Sequence, residues 1–301
     1  MSDRAATILV WRKEINAPPV GSPFSGSVDA FRPFFARFPQ YRSIVEFTND
    51  GKSWYDSLQL SFRQSSWHGI NTQYNYTLSK CTDYNSGNRD AANEQAMNPY
   101  DPSNNEGPCG FDIRHNFNLG GSYSVPGTSV GGAPLQLGTV FTALSGRPFT
   151  PGVGTFDQSG QSTGFLRADC LATPIYNYSL DYLFPDPNTT RSAITNASDA
   201  FASPTPGRLG SCSRDSGRGP LFAQLDLNIV KEFKLQGSTR IQARWEIFNL
   251  TNHVNLGGFL SSSVRSSAFG KIGSTPDVDR GNPVLGTGGP RAMQWALKVL
   301  F

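Results

Sequence analysis

Four cysteines are the residues whose spacing most directly predicts covalent chemistry. Cys81 and Cys109 lie in one stretch rich in turn-forming residues, and Cys170 and Cys212 lie in the next. Pairing within each stretch would give two local disulfides, as expected in an oxidising compartment. Loops of this length would each contribute about 3–4 kcal/mol in the chain-entropy description. The spacings do not match a Cys-x-x-Cys zinc pattern, and free thiols are the alternative interpretation.

Three histidines, one serine and one pair of aspartates are the other residues with catalytic or metal-binding chemistry. The predicted topology places His68 at one end of the strands and His115 and His253 at the other end, so the three cannot form one triad or metal site. Ser145 lacks the Gly-x-Ser-x-Gly frame of a nucleophile elbow. The Asp277–Asp279 pair lacks the glycine and glutamate of a calcium loop. We therefore expect no enzymatic activity, no metal and no cofactor.

Alternation of apolar and polar residues covers most of the chain. Side chains of a strand alternate between the faces of its sheet, so each such segment predicts a strand with one apolar and one polar face. Seven strands are predicted, over Leu58–Phe62, Ile70–Leu78, Phe117–Val125, Leu135–Ala143, Leu225–Ile229, Ile241–Ile247 and Met293–Phe301.

The links between these strands alternate in length. Three links are short and three are long and rich in Gly, Ser, Asn, Asp and Pro. The short links are 64–69, 126–134 and 234–237, and the long links are 80–111, 146–221 and 250–291. Outer-membrane barrels have short periplasmic turns and long extracellular loops, whereas long structureless loops are uncommon in compact soluble domains. The sequence therefore predicts an all-β fold, an antiparallel up-and-down transmembrane β-barrel segment of about 7–8 strands.

Composition agrees with this fold. The chain has 301 residues, of which 37% are hydrophobic and 16% are charged. It contains no apolar run near the roughly 18–20 residues that a spanning helix needs, so we do not expect a helical membrane protein. Barrel strands need only about 9–11 residues, half of which face a polar lumen. The net charge of +3 is too small and dispersed to indicate nucleic-acid binding.

Three ionisable residues form a candidate lumen ladder. Asp226 lies on the polar face of one predicted strand, and Arg244 and Glu246 lie on the polar face of the next. The short turn between them would place Asp226 opposite or diagonal to Arg244 or Glu246. We interpret these residues as lining the barrel or gripping a plug, with substrate contact as the alternative.

Lys231 is the exception to the pattern, because it has the parity of the apolar face. Its position near the periplasmic end of its strand predicts that the ammonium group snorkels to the membrane interface.

The last strand carries a candidate assembly signal. Every second residue is large and apolar, ending in an aromatic residue: Met293, Trp295, Leu297, Val299 and Phe301. Outer-membrane barrels typically finish on such a strand, which their assembly machinery recognises. An ordinary strand of a soluble sandwich is the alternative.

Six motifs in order resemble the C-terminal barrel region of Oar-like TonB-dependent receptors, outer-membrane proteins that often carry a carboxypeptidase-regulatory-like domain. The similarity covers roughly residues 36–301. The motifs are Tyr55–Gln59, Tyr74–Lys80, Phe111–His115, Ser145–Thr150, Trp245–His253 and Arg291–Phe301.

The resemblance implies a barrel of about 22 strands, of which this chain would supply about a third. The implied partners are outer-membrane lipid, the barrel assembly machinery, a plug domain, TonB and an unidentified small ligand. The plug, the TonB box and a signal peptide are not found in the sequence, so we expect a fragment. A secreted or surface all-β module that binds glycan or protein through long loops is the alternative function.

Two regions are expected. Residues 1–54 are predicted to be a poorly defined Pro/Phe-rich loop that could include one strand, and residues 55–301 the C-terminal part of the barrel. Within the first region, Phe31, Phe34, Phe35 and Phe38 have helical spacing. Because Pro33 and Pro39 weaken a helix, we assign this segment to an extracellular loop.

Overall fold

An antiparallel sheet dominates the computed structural model, which describes residues 7–23, 28–86, 96–154, 159–161, 166–178, 191–279 and 287–301. In chain order the strands are β1 (Thr7–Glu14), β2 (Val45–Trp67), β3 (Ile70–Asp83), β4 (Gly107–Pro108), β5 (His115–Ser124), β6 (Gln136–Leu144), β7 (Pro148–Phe149), β8 (Asp169–Cys170), β9 (Arg191–Ser192), β10 (Phe201–Ala202), β11 (Gly217–Arg218), β12 (Phe222–Lys234), β13 (Arg240–Phe248), β14 (Lys271–Ile272) and β15 (Ala292–Leu300).

Helices are short. The α-helices are α1 (Ala197–Ala200) and α2 (Pro276–Asp279), and 3₁₀ turns cover Val28–Phe31 and Pro102–Asn105. Among the residues that the structure describes, no helix is long and apolar enough to cross a membrane.

The long strands form one sheet in the order β1-β2-β3-β5-β6-β12-β13-β15, and each neighbouring pair is antiparallel. β4 pairs with the end of β3. Within the described residues β1 and β15 do not pair with each other, so the sheet is open. The sheet is thus an up-and-down arrangement whose consecutive long strands are neighbours.

The register places all the predicted apolar positions on one face. Directly paired residues share a face, and one row of pairs crosses five strands through Phe62, Tyr74, Leu119, Phe141 and Leu225. We call this the outer face and the opposite face the inner wall. The predicted alternation is therefore confirmed from β2 to β12 by independent pairings.

The outer face continues to β15 and is exposed. Ile229 pairs with Trp245, which pairs with Trp295, and the two indole rings stack with centroids 4.6 Å apart. Phe62 is 60% exposed, and Trp295 is 74% exposed. Exposed apolar surface on this scale is disfavoured in water and marks a contact with another apolar phase.

Most of the buried apolar residues lie in the long links. The described parts of 96–114, 145–178, 191–221 and 249–279 form a layer that we call the cap. Its main cluster contains Ala168, Ile194, Ala200, Phe201, Cys212 and Phe269, and a second contains Met97, Val153 and Leu166. Three short strand pairs, β7–β11, β8–β10 and β9–β14, add to it. Within the described residues the long links are therefore folded and have a core of their own.

Glycines allow close approach within the cap. A Cβ at Gly146 would lie 1.8 Å from the carbonyl oxygen of Gly219, and one at Gly217 would lie 2.4 Å from the Phe149 ring. These contacts hold the Ser145–Thr150 motif against β11.

Strand limits differ from the prediction in three places. β1 and the first ten residues of β2 lie before residue 55, so the expected boundary at 54 falls inside a strand. β2 continues to Trp67 through a register shift after Gln64, which shortens the 64–69 turn. β3 continues to Asp83, so Cys81 is on a strand rather than in a loop. The alternation weakens at the end of β3 because the cap packs against one side of it, whereas the Gln64–Trp67 end differs through its register shift.

Candidate functional site

The cap covers the inner wall at one end of the sheet. Ser79, Cys81 and Asp83 have inner-wall parity at the end of β3, and all three are buried. The Ser79 hydroxyl donates to the carbonyl oxygen of Ile113 at 3.0 Å, and the backbone N–H of Cys81 donates to Asp112 Oδ1 at 3.0 Å. The long links therefore fold inward over the mouth of the sheet.

Arg214 connects the cap to β3. Its guanidinium, 8% exposed, forms ion pairs with Asp83 Oδ1 and with Asp215 Oδ2, the latter at 2.8 Å. It also donates to the carbonyl oxygens of Asp83 and Asn105 at 2.8 and 3.1 Å and to the Ser86 hydroxyl at 3.0 Å. A buried charge is tolerated only when paired and hydrogen-bonded, and here all three guanidinium nitrogens donate.

We call Arg214 and its partners Asp83, Asp215 and Ser86 the hub. Its geometry depends on the backbone. Asp215 has φ of 53°, in the left-handed region that costs a non-glycine residue energy. The Thr150 hydroxyl compensates, because it donates to Asp215 Oδ1 at 3.0 Å and accepts from the Asp215 N–H at 2.9 Å. A Cβ at Gly107 would lie 2.4 Å from the carbonyl oxygen of Arg214, so only glycine fits at this position of β4.

Arg167 is the second buried cation. Burial lowers the pKa of its guanidinium to about 10; the positive charge of Arg214 also lowers it, and Asp215 opposes the shift. Its donors reach Asn105 Oδ1 at 3.2 Å and Asn104 at 2.6 Å, while the buried Nε has no hydrogen-bond partner. Neutral amides thus solvate this charge, in contrast to the carboxylates around Arg214.

Two disulfides lie in or beside the cap. Cys81 is bonded to Cys109 and Cys170 to Cys212, with Cα–Cα distances of 5.3 and 4.9 Å. Next to the first, Arg218 pairs with the buried Asp112 carboxylate at 2.9 Å. Each crosslink thus joins residues far apart in sequence at the point where the cap meets β3 or folds on itself.

A second network, which we call the asparagine clasp, consists of Asn249, Asn252 and Asn255 after β13. Asn249 and Asn252 have φ of 50° and 51°; asparagine tolerates this conformation better than most residues. The Asn249 amide donates to the carbonyl oxygens of His253 and Gly289 at 2.8 and 2.9 Å.

The clasp joins three strands. Asn252 Oδ1 accepts from the N–H of Arg291 at 3.0 Å, and Asn255 Oδ1 accepts from the N–H of Ala223 at 2.7 Å. Asn249 and Asn255 are each 1% exposed. The ends of β12, β13 and β15 are therefore fixed by three asparagines spaced three residues apart, of which Asn249 and Asn255 are buried. Sequence reasoning missed this pattern, although Asn249 and Asn252 belong to the Trp245–His253 motif.

Asp226 is hydrogen-bonded to the clasp. Its Oδ1 accepts from the N–H of Asn249 at 2.9 Å and from Gln224 Nε2 at 2.8 Å. The register pairs Asn228 with Glu246 and Val230 with Arg244, so Asp226 lies beyond both. By register Asp226 is diagonal to Glu246, one of the arrangements expected, and is not opposite Arg244; its carboxylate bonds to the clasp.

The other two ladder residues do lie together. Arg244 Nη1 is 3.5 Å from Glu246 Oε1, and Arg244 Nη2 donates to Gln242 Oε1 at 3.1 Å. The Gln294 amide donates to Glu246 Oε2 from β15. This half of the ladder is a polar row on the inner wall, and Arg244 is 42% exposed on its side chain.

The histidines lie at three different places on the sheet. His68 lies in the β2–β3 turn with φ of 47°. His115 begins β5, where its Nδ1 is 2.8 Å from the Tyr76 hydroxyl, and His253 lies in the clasp. In the part of the chain that the structure describes, no group of three or more His, Cys, Asp or Glu side chains could hold a metal ion.

The predicted assembly strand is β15, an edge of the sheet. Met293, Trp295, Leu297 and Val299 all lie on the outer face, and Phe301 is 93% exposed just beyond the strand. Residue by residue, β15 pairs with β13 from Ala292 to Leu300. Its other edge has no partner strand among the described residues.

The comparison with protein families agrees with this architecture. A family model described as an outer membrane beta barrel domain matches residues 4–294. The chain belongs to this family. No curated protein and no solved structure matches the chain.

Membership in the outer membrane beta barrel domain family identifies the environment of each face of the sheet. The protein is located in the outer membrane, its outer face contacts lipid, and its inner wall faces the lumen. The short turns are periplasmic, and the cap and the clasp are extracellular. Lys231 accordingly reaches back to the periplasmic turn, where it donates to the carbonyl oxygen of Ala133 at 2.8 Å.

We expect Arg214→Met to lower the free energy of unfolding by about 3–5 kcal/mol, because it leaves the Asp83 carboxylate buried without its cation. The matched control is Arg240→Met, whose exposed pair with Glu232 should cost about 0–1 kcal/mol. Urea unfolding of the protein in phospholipid vesicles, together with limited proteolysis of the cap, measures both. Equal effects of the two substitutions would contradict the role of the hub.

The clasp makes a separate prediction. Asn249→Gly should lower the free energy of unfolding by about 1–3 kcal/mol through lost amide hydrogen bonds, and Asn249→Ala by a further ~1–2 kcal/mol because alanine disfavours positive φ. The same unfolding assay measures this difference. Asn118→Ala, on the half-buried inner wall of β5, is the control and should change stability by less than about 1 kcal/mol.

Proposed function

We propose that the protein is part of the barrel of a TonB-dependent receptor that binds an unidentified ligand at the cell surface and takes it up. The observation that carries the proposal is the combination of a polar inner wall with a folded cap over its extracellular mouth. A cap held by buried charges and two crosslinks supports the proposal of a selective entrance over that of an open pore. The resemblance of six ordered motifs to Oar-like receptors supports the finer assignment.

The inner wall has the chemistry of a ligand path or plug interface. Asn, Gln, Ser and Thr occupy most of its positions on β3 and β5, with Gln136 and Thr142 on β6. Some bond to one another, as Ser61 does to Asn75 at 2.9 Å and Thr142 to Asn118 at 3.2 Å. We infer that Arg244 and Glu246 contact a plug domain, which TonB would displace. We also infer that the protein binds and moves its ligand without transforming it, since His68, His115 and His253 are separated.

Dependence on TonB distinguishes this function from passive diffusion. Deleting the gene in its native host should leave at least one medium solute unconsumed, as measured by mass spectrometry of the spent medium. Deleting TonB, or adding a proton uncoupler for a short uptake assay, should reproduce that loss, and re-expression of the full-length gene should restore uptake.

Two results would overturn the transport proposal. Uptake of the same solute without TonB would indicate a passive pore. Unchanged consumption of all solutes, with loss of surface attachment, would favour the alternative of a surface module that binds glycan or protein through its cap.

We further infer that β15 is the segment recognised by the barrel assembly machinery. Support comes from its free edge and from the outward row Met293, Trp295, Leu297, Val299 and Phe301, which offers backbone groups and apolar side chains together. Backbone pairing with alternate side-chain pockets is how strand addition achieves both affinity and specificity.

Phe301→Ser should therefore reduce the amount of folded protein in isolated outer membranes several-fold, judged by heat-modifiable migration in gels. The matched control is Phe233→Ser, which should leave assembly near normal. Phe233 is also an exposed outer-face phenylalanine near a periplasmic strand end. A similar loss in both variants would indicate lost apolar contact with lipid and not a recognition signal.

A further inference from the structure

A groove interrupts the outer face where a small residue lies among large ones. Lys231, Ala243 and Leu297 form one row across β12, β13 and β15. The adjacent row toward the extracellular side contains Trp245 and the stacked Trp295. Because the side chain of Ala243 is only a methyl group, the surface is depressed at the centre of this row. The two indole rings form the extracellular side of the depression.

The groove has the size of a ligand site. Its volume is about 420 Å³, and its lining includes Ile229, Ala243, Trp245, Trp295 and Leu297 with Lys231 at one side. Sites for small molecules and lipids commonly measure about 300–1,000 Å³ and are mostly apolar with a few polar groups. A groove that faces hydrocarbon is filled by a flexible apolar chain rather than by water.

Lys231 gives the groove a charged end at the periplasmic interface. Its ammonium donates to the carbonyl oxygens of Thr128 and Ala133 in the β5–β6 turn and lies 5.6 Å from the centre of the Phe233 ring. An ammonium group has three donors, so the bonds to these two carbonyl oxygens leave one N–H for an anion. The positive charge is thus held at headgroup depth, beside a groove that extends toward the middle of the bilayer.

We propose that this groove is a specific site for one phospholipid of the periplasmic leaflet. An acyl chain lies over Ala243 against the stacked indoles, and a phosphate oxygen accepts the remaining N–H of Lys231. Charge complementarity selects this occupant, because a charge-assisted bond to phosphate is stronger than a neutral one. Lys231 is the cation on the outer face of the groove; Arg244 also borders it but has inner-wall parity. The site is independent of the transported ligand.

The test uses the protein extracted from outer membranes in mild detergent and analysed by native mass spectrometry. Wild-type protein should retain one phospholipid through delipidation. Ala243→Phe fills the groove and should reduce that occupancy at least tenfold. Ala143→Phe is the matched control, since Ala143 lies on the same face, between Phe117 and Ala223 in its row, and should retain the lipid.

A second measurement covers the case in which a variant assembles poorly. Phospholipid brominated on its acyl chain should quench the fluorescence of wild-type protein, and replacing both Trp245 and Trp295 by Phe should remove most of the quenching, because both indoles line the groove. Lys231→Gln should keep the acyl-chain quenching but weaken retention of the phospholipid. Equal retention by Ala243→Phe and wild type, absence of any retained phospholipid, or retention of lipid A instead would each overturn the proposal.

Discussion

Backbone hydrogen bonding is the constraint on which the rest of this structure depends. Hydrocarbon offers no water to peptide N–H and C=O groups, so a membrane strand must be paired along its length. Pairing fixes register, and register fixes which side chains meet lipid. A slip of one residue on β15 would exchange the face of Trp295 for that of Lys298, and a lysine at the bilayer midplane costs about 2–4 kcal/mol. Seven strands therefore keep one common register, which places the rows from Phe62 to Leu225 and from Ile229 to Trp295 on the lipid face.

A sheet that directs its apolar side chains at lipid has few left for an internal core. The cap supplies the missing packing with its own clusters around Phe201 and Met97. The cap must also attach to an inner wall that is mostly polar. Buried ion pairs and asparagines perform that attachment: Arg214 meets Asp83 at the end of β3, and Asn249 meets Asp226 at the end of β12. Polar contacts with fixed geometry favour one position of the cap over others.

The sequence predicted the sheet far better than the cap, for a physical reason. Lipid and lumen are two uniform phases, so each strand between them shows a strict alternation that can be recognised locally. The bounds of β1 were not predicted, and β2 was predicted too short, because their extracellular parts do not lie between lipid and lumen. The partner of Arg214 lies 131 residues away, and no local pattern indicates that distance.

The asparagine clasp was visible but not interpretable from local spacing alone. Asn249, Asn252 and Asn255 look like ordinary turn residues, and two of them do adopt positive φ. Their function in the fold follows only from what they reach, namely Gly289, Arg291 and Ala223. Asp226 was assigned to a ladder for the same reason: parity fixes the face of a residue but not its partner at the end of a strand.

The free edges of the sheet specify what closes it. β1 pairs with Val45–Ser53 of β2, so within the described residues the span from Trp54 to Trp67 has β3 as its partner on one side and none on the other. β15 has the same condition. In lipid both edges require partner strands. Because directly opposed residues share a face, a strand that joins β15 must place apolar side chains opposite Trp295 and Leu297 and polar ones opposite Gln294 and Lys298. Closure thus demands strands with the same period-two chemistry, whichever polypeptide supplies them.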